Sequence, residues 1–346
     1  MRILYAIQGT GNGHLSRSME IIPHLQQRGQ VDVLLSGTQC ELKLPCEVRY
    51  RFHGLSFIFG EKGGINFLKT YSENRVRRFM REVNSLDVEP YDLIISDFEP
   101  VSAWACFLAN KRCIGLSNQA AILTEGAPVV ESGDMLGKFI LQNYAPVSQA
   151  YGFHFQQYNP SIFTPIVRRE VRQLRVSNKG HYLVYLPAHS DDRIVNALKH
   201  FPEVEWQVFS KHGKVGFIDG NVWLRPINNE QYLESLTSCA GLLCAAGFGA
   251  TTEALFLGKK LCVVPMKKQF EQQCNALALH QMGIPSIRSL KEKWHDAIRQ
   301  WLKEENPIRV NYPDNAELIV STILRNEILD APNDREKRLM AGLATL

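Results

Sequence analysis

The stretch Gly241-Leu-Leu-Cys-Ala-Ala-Gly-Phe-Gly-Ala-Thr-Thr-Glu-Ala-Leu-Phe-Leu-Gly-Lys-Lys-Leu-Cys-Val-Val-Pro265 decides the fold. Leu242 to Ala245 is a short apolar run that reads as a buried strand, and Gly247 and Gly249 interrupt it. From about Ala250 to Leu257 the residues favour a helix, which stops at Gly258, a natural C-cap. Leu261 to Val264 is a second buried strand closed by Pro265. Gln269 to Met282 reads as a further helix with Gly283 beyond its end. Strand, glycine turn, helix, strand, helix is a parallel α/β unit.

The same stretch has the makings of an anion site. Two glycines let a ligand approach the backbone closely. The first turn of the helix offers unpaired N–H groups and the positive end of a dipole, both suited to a phosphate. Thr251 and Thr252 can add hydroxyls. Glu253 would repel a phosphate at contact distance, but it suits the two hydroxyls of a ribose. A capping box is the other reading of this glutamate, yet position 250 is Ala, which cannot cap. Glu271 and Gln272 open the next helix and suit sugar hydroxyls. Phosphate, ribose and hexose sites in chain order outline a nucleotide sugar.

On these residues the chain resembles the GT-B glycosyltransferases, notably the UDP-glucosyl/glucuronosyl transferases and the lipid II-forming N-acetylglucosaminyltransferase. The resemblance is carried by Gly247, Gly249, Thr252, Glu253, Ala254, Gly258, Lys259, Pro265, Glu271, Gln272, Asn275 and Ala276, in order and spacing over about forty positions. Lys260 departs from it, standing where proline is usual. The resemblance implies two doubly wound Rossmann-like domains facing a central cleft, with the nucleotide-sugar donor on the C-terminal one.

The totals agree with such a protein. The 346 residues suffice for two domains of ordinary size. Hydrophobic residues are 45% and charged residues 21%, as in a soluble globular chain. A net charge of +4 admits anionic ligands without implying nucleic acid. No window nears the roughly 20 apolar residues of a spanning helix, and Met1 leads straight into a strand and a glycine turn, so no signal peptide is expected. The eight cysteines form no C-x-x-C pair and mostly lie in apolar runs, which points to free thiols in a reducing cytoplasm and to no zinc site.

Arg2 to Gln8 reads as the first strand, Gly9 to His14 as a glycine-rich turn, Leu15 to Arg28 as a helix and Val31 to Ser36 as the second strand. A dinucleotide fingerprint fails here. His14 stands where the third glycine belongs, and Ser36 where an acid belongs. Gly11 and Gly13 instead leave room above the strand ends for an acceptor. A helix N-terminus favours a neutral imidazole at His14, able to take a proton from a hydroxyl. In the GT-B transferases a Gly-His at this turn supplies the general base, and Gly13-His14 matches it. Tyr91 to Asp97 is a buried strand that ends in a carboxylate on the same rim. The resemblance makes Asp97 the partner that fixes the His14 tautomer. The structural alternatives are a locally hydrogen-bonded His14 and an Asp97 that caps the helix opened by Pro100. Asn118 and Gln119, at the next strand end, are candidate acceptor contacts.

Between these motifs, Phe57 to Tyr71 is rich in aromatics and glycine, and the helix expected next carries Arg75, Arg77, Arg78 and Arg81. This segment suits an anionic membrane surface or a charged acceptor, although a solvated helix face is the favoured reading of it. Residues 1–160 are assigned to the acceptor domain, 161–178 to a linker with Arg168, Arg169, Arg172 and Arg175, 179–312 to the donor domain, and 313–346 to a helix crossing back plus a tail. Within the donor domain, Ser190 is a candidate helix cap facing the diphosphate, and Ile227 a candidate backbone reader of uracil.

The expectation is a cytoplasmic hexosyltransferase, with peripheral attachment to the inner face of the membrane, and a lipid-linked acceptor, as the reading that the aromatic and basic segment adds. It uses a nucleotide sugar, UDP-linked by resemblance, inverts the anomeric centre, and needs no metal or other cofactor. The D-x-D metal motif is absent, since Asp191-Asp192 lacks its spacing. A UDP-sugar 2-epimerase and a non-catalytic nucleotide-sugar binder are the alternatives.

Overall fold

The computed structural model describes residues 1–10, 12–37, 44–55, 73–130 and 135–329. In chain order the first half contains β1 (Arg2–Gln8), α1 (Asn12–Gln26), β2 (Gln30–Ser36), β3 (Tyr50–Phe52), α2 (Glu73–Ser85), β4 (Leu93–Asp97), α3 (Pro100–Leu108), β5 (Ile114–Ser117), α4 (Asn118–Ile122), α5 (Met135–Tyr144), β6 (Gln149–Phe153), β7 (Ile162–Phe163) and α6 (Arg169–Arg172). The second half contains β8 (Tyr182–Tyr185), α7 (Asp191–Leu198), β9 (Trp206–Ser210), β10 (Phe217–Asp219), β11 (Val222–Pro226), α8 (Asn229–Ser238), β12 (Gly241–Cys244), α9 (Phe248–Phe256), β13 (Lys260–Val263), α10 (Phe270–Gln281), α11 (His295–Lys303) and α12 (Ala316–Leu324).

Two sheets result. The first runs β3-β2-β1-β4-β5-β6-β7 and is parallel throughout. The second runs β10-β11-β9-β8-β12-β13 and is parallel except for β10 at its edge. Both orders reverse beside the first strand of their half, at β1/β4 and at β8/β12. A doubly wound sheet opens its ligand crevice at such a reversal, at the carboxyl ends of the strands.

The strands are apolar on both faces because helices cover both. Ile3, Tyr5 and Ile7 of β1 pack with Leu15, Ile21, Ile22 and Leu25 of α1. Leu4 and Ala6 point the other way, toward Phe79 and Val83 of α2 and Val101 of α3. The second sheet repeats the plan with Val184, Val208 and Leu243 against Ile194, Leu198 and Trp301. The described cysteines are free thiols, and all but Cys46 are buried.

Several elements differ from the sequence reading. The helix expected from about Ala250 starts at Phe248, with Gly247 extended at φ −74° and ψ 138° as its N-cap. Gly137 to Gln149 reads from the sequence as one helix, but α5 ends at Tyr144, ahead of Pro146, which cannot continue it. Residues 162–163, read as linker, form β7 on the first sheet. Gly11 and the stretch Phe57 to Tyr71 lie outside the described residues.

α12 packs on α1. Asn315 ahead of it donates to the Thr164 carbonyl and hydroxyl at 3.3 and 3.0 Å. Beyond it, Glu327 pairs with Arg112 and accepts from the Tyr151 hydroxyl at 2.7 Å. The described chain from Asn315 to Glu327 therefore lies against the first half.

Candidate active site

β1 and β4 are neighbours in register, with Ile7 opposite Asp97. His14, in the first turn of α1, and Asp97, the last residue of β4, therefore meet at the reversal point. His14 Nδ1 lies 2.8 Å from Asp97 Oδ1. Asp97 is fully buried and His14 keeps 13% of its side chain exposed. An ionised carboxylate only accepts, so this contact assigns a proton to Nδ1, and in the neutral ring the lone pair is then on Nε2. Nε2 makes no hydrogen bond to a described residue.

The backbone after Asp97 bends sharply to deliver it. Phe98 takes φ +56°, a left-handed conformation that costs a non-glycine residue on the order of 1–2 kcal/mol. Ser96 braces the bend, its hydroxyl bonding the carbonyl and the N–H of Glu99, each at 2.9 Å. Glu99, not Asp97, caps α3: its two oxygens accept from Val101 N at 2.7 Å and Ser102 N at 2.6 Å. This removes the capping alternative for Asp97. Burial pushes the Glu99 carboxyl above its usual range against these bonds.

A residue that the sequence reading did not single out completes the cluster. Arg17, one turn along α1 from His14, sends Nη2 to Asp97 Oδ1 at 2.5 Å and Nε to Oδ2 at 3.2 Å. Burial alone would raise the Asp97 carboxyl, but Arg17 and then His14 outweigh it and hold it below the ordinary carboxylate range. The signal for Arg17 was its i,i+3 spacing from His14, which places both on one helix face.

Across the cleft stands α9. A side chain at Gly247 or Gly249 would meet nothing within 4 Å, so both open onto free space. Thr252 is buried with its hydroxyl unpartnered. Thr251 turns inward, donating to the carbonyls of Gly247 and Phe248 at 2.8 and 3.0 Å. The early helix start puts it four residues past Gly247, in back-bonding position. Glu253 is ion-paired with Arg168 of the linker at 2.7 Å. Ser190 occupies the N-cap of α7 without a side-chain bond, so its hydroxyl does not cap, and it is exposed. The Ile227 N–H is spent on the Ser210 carbonyl at 2.9 Å. Gly13 is exposed at the start of α1.

The two halves touch at this cleft. Glu271, in the first turn of α10, accepts from Asn118 Nδ2 at 2.8 Å and Gln119 Nε2 at 3.1 Å. Gly152 permits this, since a Cβ there would sit 2.5 Å from that of Ala121 and push α4 off β6. Gln272 turns aside, its carbonyl accepting from Met266 N at 3.0 Å. Phe248 packs its ring 5.1 Å from that of Phe155, just beyond β6.

Two doubly wound sheets that meet across a cleft, one carrying a His–Asp pair and the other a glycine-opened helix, define a GT-B fold. The family model for glycosyl transferase family 1 matches residues 1–304. The chain belongs to that family and is a glycosyltransferase. Solved structures agree in fold. UGT89C1 of Arabidopsis thaliana complexed with UDP-L-rhamnose is 13% identical with a TM-score of 0.57, the match covering 94% of this chain and 95% of that one. UGT2 of Phytolacca americana complexed with UDP-2fluoro-glucose and pterostilbene is 14% identical at a TM-score of 0.55, covering 94% and 90%. The glycotransferase of kitacinnamycin is 14% identical at 0.56, covering 98% of each chain. A search of the curated proteins gives no match.

Proposed function

We propose that this glycosyltransferase moves a hexosyl group from a UDP-linked sugar to an acceptor hydroxyl, with inversion and without a metal. The observation that carries the reading is the His14 Nδ1–Asp97 contact of 2.8 Å at the strand reversal. It leaves Nε2 as a base on the cleft side of α1. Nε2 takes the acceptor's hydroxyl proton as the oxygen forms its bond to the anomeric carbon. The bond from that carbon to the phosphate oxygen breaks, and UDP leaves with the electron pair. Displacement from the opposite face inverts the centre. The first turn of α9 stabilises the departing diphosphate through its free N–H groups and dipole. Its glycines and the unpartnered Thr252 hydroxyl suit that role. Glu253 serves the ribose, and Glu271 with Gln272 the hexose. The nucleotide follows from the UDP sugars named with two of the similar structures.

The acceptor is read as lipid-linked. Phe107, Leu108 and Phe139 are 63%, 54% and 61% exposed on α3 and α5. The neighbouring α2 presents Arg77 and Arg81 outward. Exposed apolar side chains, with outward arginines on a helix packed against α3, suit an anionic membrane surface, and no described helix is long and apolar enough to cross one.

The experiment is transfer from UDP-glucose, UDP-galactose and UDP-N-acetylglucosamine, followed as UDP release with and without acceptor. Wild type is expected to transfer equally well in EDTA. His14→Ala is expected to lose about 10²-fold or more in kcat while still binding UDP. Sugar interconversion without acceptor would indicate an epimerase, and UDP binding without turnover a binder. For the acceptor, cosedimentation with phosphatidylglycerol vesicles is expected to weaken in salt and in Arg77→Glu/Arg81→Glu.

A further inference from the structure

Arg17 is a buried charge for which the transfer chemistry has no direct use. Its guanidinium keeps 7% exposure and lies over the Phe153 ring at 4.9 Å. It touches three groups at once. Nη2 and Nε grip both oxygens of Asp97. Nη2 also lies 3.1 Å from His14 Nδ1, so imidazole and guanidinium converge on the same carboxylate oxygen. Nη1 donates to Asn118 Oδ1 at 3.3 Å. That contact fixes the Asn118 amide with its oxygen toward Arg17 and its NH2 toward Glu271.

We infer that Arg17 is a positioning residue: it sets the charge and orientation of the His14–Asp97 pair and ties that pair, through Asn118, to the donor-side carboxylate Glu271. The inference deepens the reading of His14 as the base and rests on it.

Arg17 and His14 share the charge of one carboxylate. A carboxylate facing only an imidazole would stabilise the imidazolium strongly and hold the proton after transfer. A guanidinium on the same carboxylate, always charged and two-pronged, offsets that pull. It also holds Asp97 from the side, so the ring faces a fixed oxygen. Among described residues, the titratable groups packed around the pair are Arg17 on its own helix, Asp97 on β4 and Tyr5 on β1. The Tyr5 hydroxyl is engaged with Ser18 at 3.2 Å. Glu271 lies beyond the neutral Asn118.

The test follows the His14 Cε1–H resonance, identified by its absence in His14→Ala, through a pH titration of the ligand-free protein. Arg17→Gln is expected to move that titration to higher pH by about one unit, since the full carboxylate charge then acts on the ring. Arg17→Lys keeps a charge but loses the fork, so its titration is expected close to the wild-type position. Turnover of the three UDP sugars with octyl glucoside as acceptor supplies the second readout. There kcat is expected to fall about 100-fold in Arg17→Gln and about 10-fold in Arg17→Lys. The inference falls if either the titration or the kcat of Arg17→Gln is that of the wild type. Should Arg17→Gln not fold, Arg17→Lys decides: a tenfold loss upholds the inference and wild-type kcat overturns it. His14→Ala separates the two readings. Full turnover in that variant sinks the base assignment, while the comparison of titrations still judges Arg17.

Discussion

Asp97 holds two partners and cannot be altered as if it held one. Asp97→Asn removes the counter-charge of Arg17, whose guanidinium then stays buried without a carboxylate. Breaking a buried pair from one side costs about 3–5 kcal/mol. Asp97→Asn is therefore expected to be markedly less stable in urea, and Asp97→Asn/Arg17→Gln to recover much of the loss. Loss of activity in Asp97→Asn alone would thus mix folding with chemistry. The pair also has a pH signature. Its folded carboxyl lies below the ordinary range, so the stabilisation is fully present above that range and is lost as pH falls through the depressed value. Acid unfolding below about pH 4 is expected to be shallower in the double variant than in wild type, as measured by circular dichroism. At this scale the sequence made His14 and Asp97 visible, because a glycine turn and a strand end are local features. Arg17 shares a helix face with His14, but its role becomes visible only when β4 lies beside α1 and brings Asp97, 80 residues away, against both. Glu253 and Glu271 were visible as carboxylates, but their partners Arg168 and Asn118 are 85 and 153 residues away.

Two elements carry predictions that separate fold from ligand. In α9 a Cβ at Gly249 meets nothing, and the position is helical. Gly249→Ala should keep or raise the melting temperature, since alanine in a helix is favoured over glycine by about 0.5–1 kcal/mol. The same methyl stands where a phosphate would approach. UDP affinity, by calorimetry, is expected to fall about tenfold or more, a loss of roughly 1.4 kcal/mol. Equal affinity would remove α9 as the diphosphate site. At the far end of that helix, Lys259 is buried and donates to the carbonyls of Ser177, Thr237 and Cys239 at 2.7, 2.7 and 2.8 Å. It pins the linker to α8. Lys259→Met leaves three carbonyls short of a donor and is expected to cost at least about 2 kcal/mol in urea unfolding. Most strands could be read from the chain because burial on both faces leaves a continuous apolar run. β10 was missed: it is an antiparallel edge, with Phe217 and Ile218 45% and 71% exposed. The onset of α9 was set two residues late because glycines read as breakers, while in the fold Gly247 caps and Gly249 joins the first turn.

Across the whole molecule, carboxylates expected to hold the donor are already held by the rest of the chain. Glu271 is bonded by two amides of the first domain, and Glu253 by an arginine of the linker. On the proposed donor placement an entering sugar competes for those oxygens, so donor binding and interdomain contact would draw on the same groups. The order and spacing of motifs announced two domains and a cleft, but not this competition, which exists only once both sheets are placed. The contact is directional: Asn118 donates and Glu271 accepts. Asn118→Asp would set two carboxylates against each other while keeping an oxygen for Arg17. Like charges at hydrogen-bond distance repel, and the cost is relieved by separating the domains. The ligand-free Asn118→Asp protein is therefore expected to show a larger radius of gyration than wild type by small-angle X-ray scattering. Asn118→Asp/Glu271→Gln, which restores a donor opposite an acceptor, should return it to the wild-type value. A single variant as compact as wild type would mean that Glu271 does not latch the domains, and that the cleft is held instead by α12 and the Phe155–Phe248 packing.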